Sequence, residues 1–220
     1  MLDRRRLEVY IVTSAAFGSG VLGSGRDHRD VAAAAIAGGA TAVQLRAPEL
    51  SDDELRVVAA QIADACHRSS VMFIVNDRVE VAITSGADGV HVGQDDDPIS
   101  VRRRLGPDRV LGVSVATLTH VNQAEMAGAD YLGVTIWATP TKPDAVPRGL
   151  DAFREIAMST SIPVVGIGGI FASNGTLVLE AGGAGLAVIS AVAAAADPVA
   201  ATRELAGVVQ RFRSREEVPS

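Results

Sequence analysis

The chain repeats one unit eight times: a short apolar run, then a segment with helix start and stop signals. The repeat length is roughly 20 to 30 residues. The apolar runs predict strands over residues 9–13, 41–46, 71–75, 89–92, 110–115, 131–136, 163–167 and 185–189. Between and after them, the pattern predicts helices over 29–37, 51–68, 78–85, 99–105, 120–127, 150–159, 173–181 and 198–212. Ser51 and Glu54 are spaced as a reciprocal capping box, while Gly38-Gly39 and Gly106-Pro107 are stops. The strand segments are near-continuous apolar runs rather than half-polar alternations, as expected where both faces of a parallel sheet are covered. Eight such units close most economically into a (β/α)8 TIM barrel. A doubly wound open sheet is the alternative, but no Gly-x-Gly-x-x-Gly turn follows the first strand.

No linker or shift in composition interrupts the 220 residues, which predicts one domain over 1–220 with a polar, frayed tail over 214–220. A net charge of −6 argues against nucleic acid or an anionic membrane as the main partner. The single cysteine, Cys66, excludes an intramolecular disulfide and sits in a helical segment, where it reads as a small packed hydrophobe. Arg4-Arg5-Arg6 before an apolar stretch imitates a signal peptide, but Glu8 and the Gly18-Ser19-Gly20 break spoil the pattern. No stretch has the length of a membrane span, and the expected location is cytoplasmic.

A barrel carries its chemistry at the C-terminal ends of its strands, and the unusual polar residues fall there. Gln44 and Arg46 share one face of the second strand, opposite Val43 and Leu45, so the amide and the guanidinium point into the mouth if the apolar pair packs on helices. Strand three ends in Asn76-Asp77, and strand four runs into Gln94-Asp95-Asp96-Asp97. Carboxylates on neighbouring loops suit Mg²⁺, which takes one or two carboxylates together with substrate phosphates. Asp97 is expected to cap the next helix and Asp96 to face the metal. In strand five, Gly112 and Ser114 share a face, leaving space and one hydroxyl. Gly168-Gly169 after strand seven and Ile189-Ser190 after strand eight, opening onto helix N-termini, suit a phosphate. The chain has nineteen Arg and one Lys, Lys142, set in the hydroxyl-rich loop Thr139-Pro140-Thr141-Lys142 after strand six. A compact ammonium there suits a phosphate oxygen. His91 reads as a barrel residue that packs or hydrogen-bonds, His28, His67 and His120 as surface residues, and Arg102-Arg103-Arg104 as a solvated helix face.

These stretches together resemble the thiamin phosphate synthase family over nearly the whole chain. The resemblance rests on Val43-Gln44-Leu45-Arg46, Val75-Asn76-Asp77-Arg78-Val79, Gly86 to Gln94 with Asp96, Gly112-Val113-Ser114, Thr139 to Lys142, Val165 to Ile170 and Ala187 to Ser190. It implies a transferase of thiamine biosynthesis that joins an aminopyrimidine diphosphate to a thiazole phosphate. It further implies that Gln44, Arg46, Asn76, Ser114 and Lys142 hold the pyrimidine diphosphate, that Asp77 and Asp96 hold Mg²⁺, and that Thr139, Thr141, Gly169, Ile189 and Ser190 hold the thiazole phosphate. Arg46, Lys142 and Ser114 are the expected catalytic groups and the expected partners are small phosphorylated molecules; a homo-oligomer is left open, since composition does not reveal the oligomeric state.

Two departures from the family pattern stand out. The family commonly carries a Lys two residues after the strand-two Arg, where this chain has Pro48, and Thr135-Ile136-Trp137-Ala138 replaces a Gly-Pro run. Trp137 is either a stacking surface for a substrate ring or a packed loop aromatic. Pro48 favours one competing reading, a non-catalytic barrel that binds thiazole or thiamin phosphate. A related thiazole tautomerase is a further alternative, disfavoured because Ala116 occupies the position of its characteristic His.

Overall fold

Each strand of a closed parallel barrel must satisfy helices on one side and a packed interior on the other, which is why the eight runs are so uniformly aliphatic. The computed structural model describes residues 2–14, 25–138 and 146–216. A 3-10 turn at Arg4–Leu7 leads into β1 (Val9–Val12), followed by α1 (His28–Gly38), β2 (Ala42–Leu45), α2 (Asp52–Arg68), β3 (Met72–Asn76) and α3 (Val79–Thr84). Then come β4 (Gly89–Val92), α4 (Pro98–Leu105), β5 (Val110–Ser114), α5 (Leu118–Met126), β6 (Tyr131–Thr135) and α6 (Gly149–Ser159). The chain ends with β7 (Val164–Ile167), α7 (Gly175–Glu180), β8 (Gly185–Val188), α8 (Ser190–Ala193) and α9 (Pro198–Glu216). Every strand pairs in parallel with the next, and β8 returns to β1, so the predicted (β/α)8 barrel is the observed fold.

The two-residue period of each strand sorts the side chains into two cores. Ile11, Val43, Leu45, Phe73, Val75 and Val90 face outward into the layer between sheet and helices. Tyr10, Val12, Ala42, Met72, Ile74, Tyr131, Val165 and Ala187 fill the interior, with Leu7 and Leu2 closing its N-terminal end. The ring of helices is joined where α1 meets α9. A Cβ on Gly38 would stand 2.4 Å from the Thr202 Cβ, so only glycine lets the two helices approach this closely. Gly39 then ends α1 in the left-handed conformation, at φ 94°.

Helix starts follow local chemistry. Ser51 and Glu54 form the expected capping box on α2, a device worth about 1 kcal/mol, and Asp27 with Asp30 forms another on α1. Asp97 caps α4, as expected, accepting from the Ile99 N–H. α5 starts before the predicted position because Thr117 caps it, and α7 starts two residues later than predicted, at Gly175. The short helix α8 was not legible in the aliphatic run that encodes it. Residues 214–216 of the expected frayed tail continue α9, and Arg213 just before them pairs with Glu8 at 3.0 Å; residues 217–220 lie outside the described residues.

Three expectations about individual residues are corrected. His28 is buried, not on the surface. Arg102 is not a solvated residue: its guanidinium bonds the carbonyls of Gly106, Arg109 and Gly128 and the Asp130 carboxylate, tying α4 to the turns before β5 and β6. Gly112 leaves no open space at the mouth, because the Tyr131 ring fills it. A Cβ on Gly112 would lie 2.1 Å from the Tyr131 Cζ. Cys66 is the packed hydrophobe predicted, its thiol pushed up to about 12 by burial and the nearby Asp88 charge.

Gly112→Ala is expected to destabilise the fold by about 1–3 kcal/mol through overpacking against Tyr131. In a Tyr131→Leu background, which removes the ring that a Cβ would meet, the further loss caused by Gly112→Ala should be smaller than in wild type. Urea unfolding of the single and double variants checks both.

Candidate functional site

At the C-terminal end of the barrel the inward positions change from aliphatic to polar. Gln44 and Arg46, Asn76, His91, Ser114 and Thr135 come from β2 to β6, and the tips of β7 and β8 complete a solvent-open cavity of about 830 Å³. Gly168 and Gly169, at φ 88° and 65°, turn the chain across its rim beside Ile189 and Ser190. Asn174 pins this turn, donating to the Gly169 carbonyl at 2.9 Å and accepting from the Phe171 N–H at 2.8 Å. The turn does not open directly onto a long helix, since α7 starts only at Gly175 and α8 has four residues.

A second hollow of about 340 Å³ adjoins the first and is bordered by Arg46, Ala47, Pro48, Leu55, Asn76, Asp77 and Arg78. Arg46 and Asn76 border both. Asp77 has a left-handed backbone, at φ 61°, a conformation that costs a non-glycine residue energy and that clusters at functional positions. Its carboxylate accepts from the Asn76 side-chain amide. Asp96 borders neither hollow. Its Oδ2 accepts from the Gly93 N–H at 2.8 Å, which folds the turn after β4. Thr139, Thr141 and Lys142 lie outside the described residues.

Seven of the predicted site residues, namely Gln44, Arg46, Asn76, Ser114, Gly169, Ile189 and Ser190, thus meet at one cavity. Trp137 packs against the outer apolar core, and its Cβ would stand 2.9 Å from a Cβ on Gly169. That is the packed-aromatic reading.

A profile of the thiamine monophosphate synthase family matches residues 9–192. The chain belongs to this family. It is 50% identical to the thiamine-phosphate synthase of Chloroflexus aurantiacus over 203 residues, covering 91% of this chain and 92% of that protein. It is 48% identical to the thiamine-phosphate synthase of Moorella thermoacetica, over 88% of this chain and 94% of the relative. Among solved structures, thiamine phosphate pyrophosphorylase from Pyrococcus furiosus superposes with a TM-score of 0.85 at 37% identity, covering 95% of this chain and 98% of that one. Membership of the family makes the chain a transferase of thiamine biosynthesis. No helix among the described residues is long and apolar enough to cross a membrane.

The floor of the cavity also contains aromatic groups that the strand-end pattern does not single out. Tyr10 and Tyr131 are fully buried beneath it, with ring centroids 5.8 Å apart. His91 hydrogen-bonds within the barrel, as expected, but also lines the cavity. A signal for Tyr131 existed: the inward Gly112 on the neighbouring strand stands in register with it, a small residue beside a large one.

A buried histidine supports the rim. His28 sits between Thr13 Oγ1 and Glu49 Oε1, at 2.8 Å from each, and the Arg46 N–H donates to the same Thr13 hydroxyl at 3.3 Å. His28 therefore holds the loop that carries Arg46 and Pro48. Partial burial pushes the Glu49 carboxyl up, but the His28 bond, a backbone N–H and the charges of His28 and Arg46 outweigh it and leave its pKa below the ordinary value. A folded-state pKa below the unfolded one stabilises above the unfolded value and ceases to do so as the carboxylate is protonated. The stability difference between wild type and Glu49→Gln is accordingly expected near neutral pH and should fade as the pH falls below about 4.3. Urea midpoints across that range check it, and a pH-independent difference would contradict the pairing.

Proposed function

We propose that the chain joins 4-amino-2-methyl-5-hydroxymethylpyrimidine diphosphate to 4-methyl-5-hydroxyethylthiazole phosphate, releasing diphosphate and forming thiamin phosphate. The observation that carries this reading is the shared border of the two hollows. A molecule lying across Arg46 and Asn76 would set a ring over the Tyr10, Gln44 and His91 floor and its charged end beside Arg46, Asp77 and Arg78. The synthase activity for which the relatives are named supports the same reading.

In the reaction, the bond between the pyrimidine methylene carbon and the diphosphate oxygen breaks, and the thiazole nitrogen forms a new bond to that carbon. Diphosphate leaves with the electron pair, and the ring's amino group delocalises the positive charge that develops. Arg46 and Lys142 would neutralise charge growing on the leaving group, the largest single contribution fixed protein charges make to such steps. Asn76, Gln44 and Ser114 would orient the pyrimidine diphosphate, while Thr139, Thr141, Gly169, Ile189 and Ser190 would hold the thiazole phosphate. Holding two rings in an attack geometry needs no protein nucleophile.

The donor set suits Mg²⁺. Asp77 and Asp96 would supply oxygen ligands from adjacent strand ends, and two carboxylates would leave coordination positions for substrate phosphates. When bound there, the ion would add a Lewis acid at the departing diphosphate. A cytoplasmic setting, with the buried Cys66 reduced, belongs to the same proposal.

Incubation of the purified protein with Mg²⁺ and both substrates should yield thiamin phosphate and diphosphate in equal amounts. No product, with tight binding of either phosphate retained, would favour a non-catalytic binding barrel. Arg46→Ala and Lys142→Ala are each expected to lower kcat/KM by about 10- to 100-fold, the equivalent of a lost charge-assisted contact. Pro48→Lys should lower the KM for the pyrimidine diphosphate by up to about tenfold if a cation at that position reaches it.

A further inference from the structure

Five side chains from five strands form one hydrogen-bonded chain across the cavity floor. Gln44 Nε2 donates to the Tyr10 hydroxyl at 2.8 Å, and the Tyr10 and Tyr131 oxygens lie 2.6 Å apart. Tyr131 OH lies 3.0 Å from His91 Nδ1, and His91 Nε2 lies 2.9 Å from Ser114 Oγ. Both ends of the chain, Gln44 and Ser114, border the cavity. Glycines make the rings fit. Gly112 gives way to Tyr131, and a Cβ on Gly133 would stand 3.1 Å from His91 Cε1.

An amide nitrogen can only donate, which gives the chain a direction. The Tyr10 oxygen accepts from Gln44, so its proton goes to Tyr131, and the Tyr131 proton goes to His91 Nδ1. Burial pushes both phenols above their ordinary range, so each keeps its proton. In the opposite direction, Tyr10 would face donors from both Gln44 and Tyr131, leaving its own buried proton without an acceptor.

We propose that Tyr131 is a positioning residue: it holds His91 as the Nε2–H tautomer, so that the ring donates to Ser114 Oγ and the Ser114 proton is presented to an acceptor on the bound substrate. The catalytic consequence rests on the synthase reading. The tautomer does not. A neutral histidine's free nitrogen is set by the bond its other nitrogen makes, and here that bond comes from Tyr131, at the floor of the cavity.

The test uses the full chain with ¹⁵N-labelled histidine at pH about 8, above the ordinary histidine value. Long-range proton–nitrogen spectra read the tautomer, with the His91 signals assigned by their absence in His91→Gln. Wild type is expected to show Nε2 protonated and Nδ1 bare. Tyr131→Phe should move His91 toward the Nδ1–H form and lower kcat/KM by about tenfold. Tyr10→Phe disturbs the same ring pair but keeps the Tyr131 hydroxyl, and should leave the tautomer as in wild type. An Nδ1–H wild type, an unchanged tautomer in Tyr131→Phe, or a changed tautomer with unaltered turnover would each overturn the proposal. If wild type makes no thiamin phosphate, the synthase reading fails while the spectra still decide the role of Tyr131.

Discussion

Closing eight parallel strands into a ring fixes which residue of every pair points inward, and the site depends on that parity. Once Val43 and Leu45 are committed to the helices, Gln44 faces the cavity and Arg46 continues the same alternation at the strand end. The same parity puts Tyr10, His91, Ser114 and Tyr131 inside. A slip of one residue in any strand would exchange an aliphatic for a polar side chain across the sheet, at a cost set by burying an unpaired polar group. Stability of the outer core and placement of the polar groups are therefore one constraint, met by one alternating pattern.

That constraint explains what could be read from the sequence. The eightfold repeat and the strand ends follow from period and position, while the seven residues that meet at the cavity were singled out together by the family resemblance. Asp97 as a cap and Ser51–Glu54 as a capping box are local chemistry, legible within four residues. What was not legible depends on distance through space. His28 looked like a surface residue because its partners, Thr13 and Glu49, come from other elements. Arg102 looked like part of a charged helix face because the carbonyls it binds belong to later turns. Gly112 suggested open space because its neighbour's ring, not a ligand, occupies the volume.

The rim shows the same division of labour between scaffold and loop. Arg46 stands one residue past β2, where strand geometry no longer fixes the backbone. Its N–H is instead anchored on Thr13, which His28 also binds, and Glu49 closes the other side of that loop. A proline at position 48 fits this arrangement: it removes a cation but also backbone freedom, and a loop tethered at both ends can hold the Arg46 guanidinium with less ordering on binding. Loss of a charge at Pro48 thus need not translate into proportional loss of affinity.

The interior floor carries a stronger requirement. Two tyrosines buried at the centre of a barrel would destabilise it if either hydroxyl lacked a partner, and in a low-dielectric site that cost is large. Here the chain from Gln44 to Ser114 satisfies both and ends at groups bordering the cavity. A fully aliphatic floor would be simpler to stabilise, but it would leave Ser114 without an internal donor and free to rotate. The polar network joins the need to satisfy buried hydroxyls to the need to orient a hydroxyl at the site. On the proposed role of Ser114, substitutions in the interior would act on substrate binding through hydrogen-bond direction, even where packing volume is unchanged.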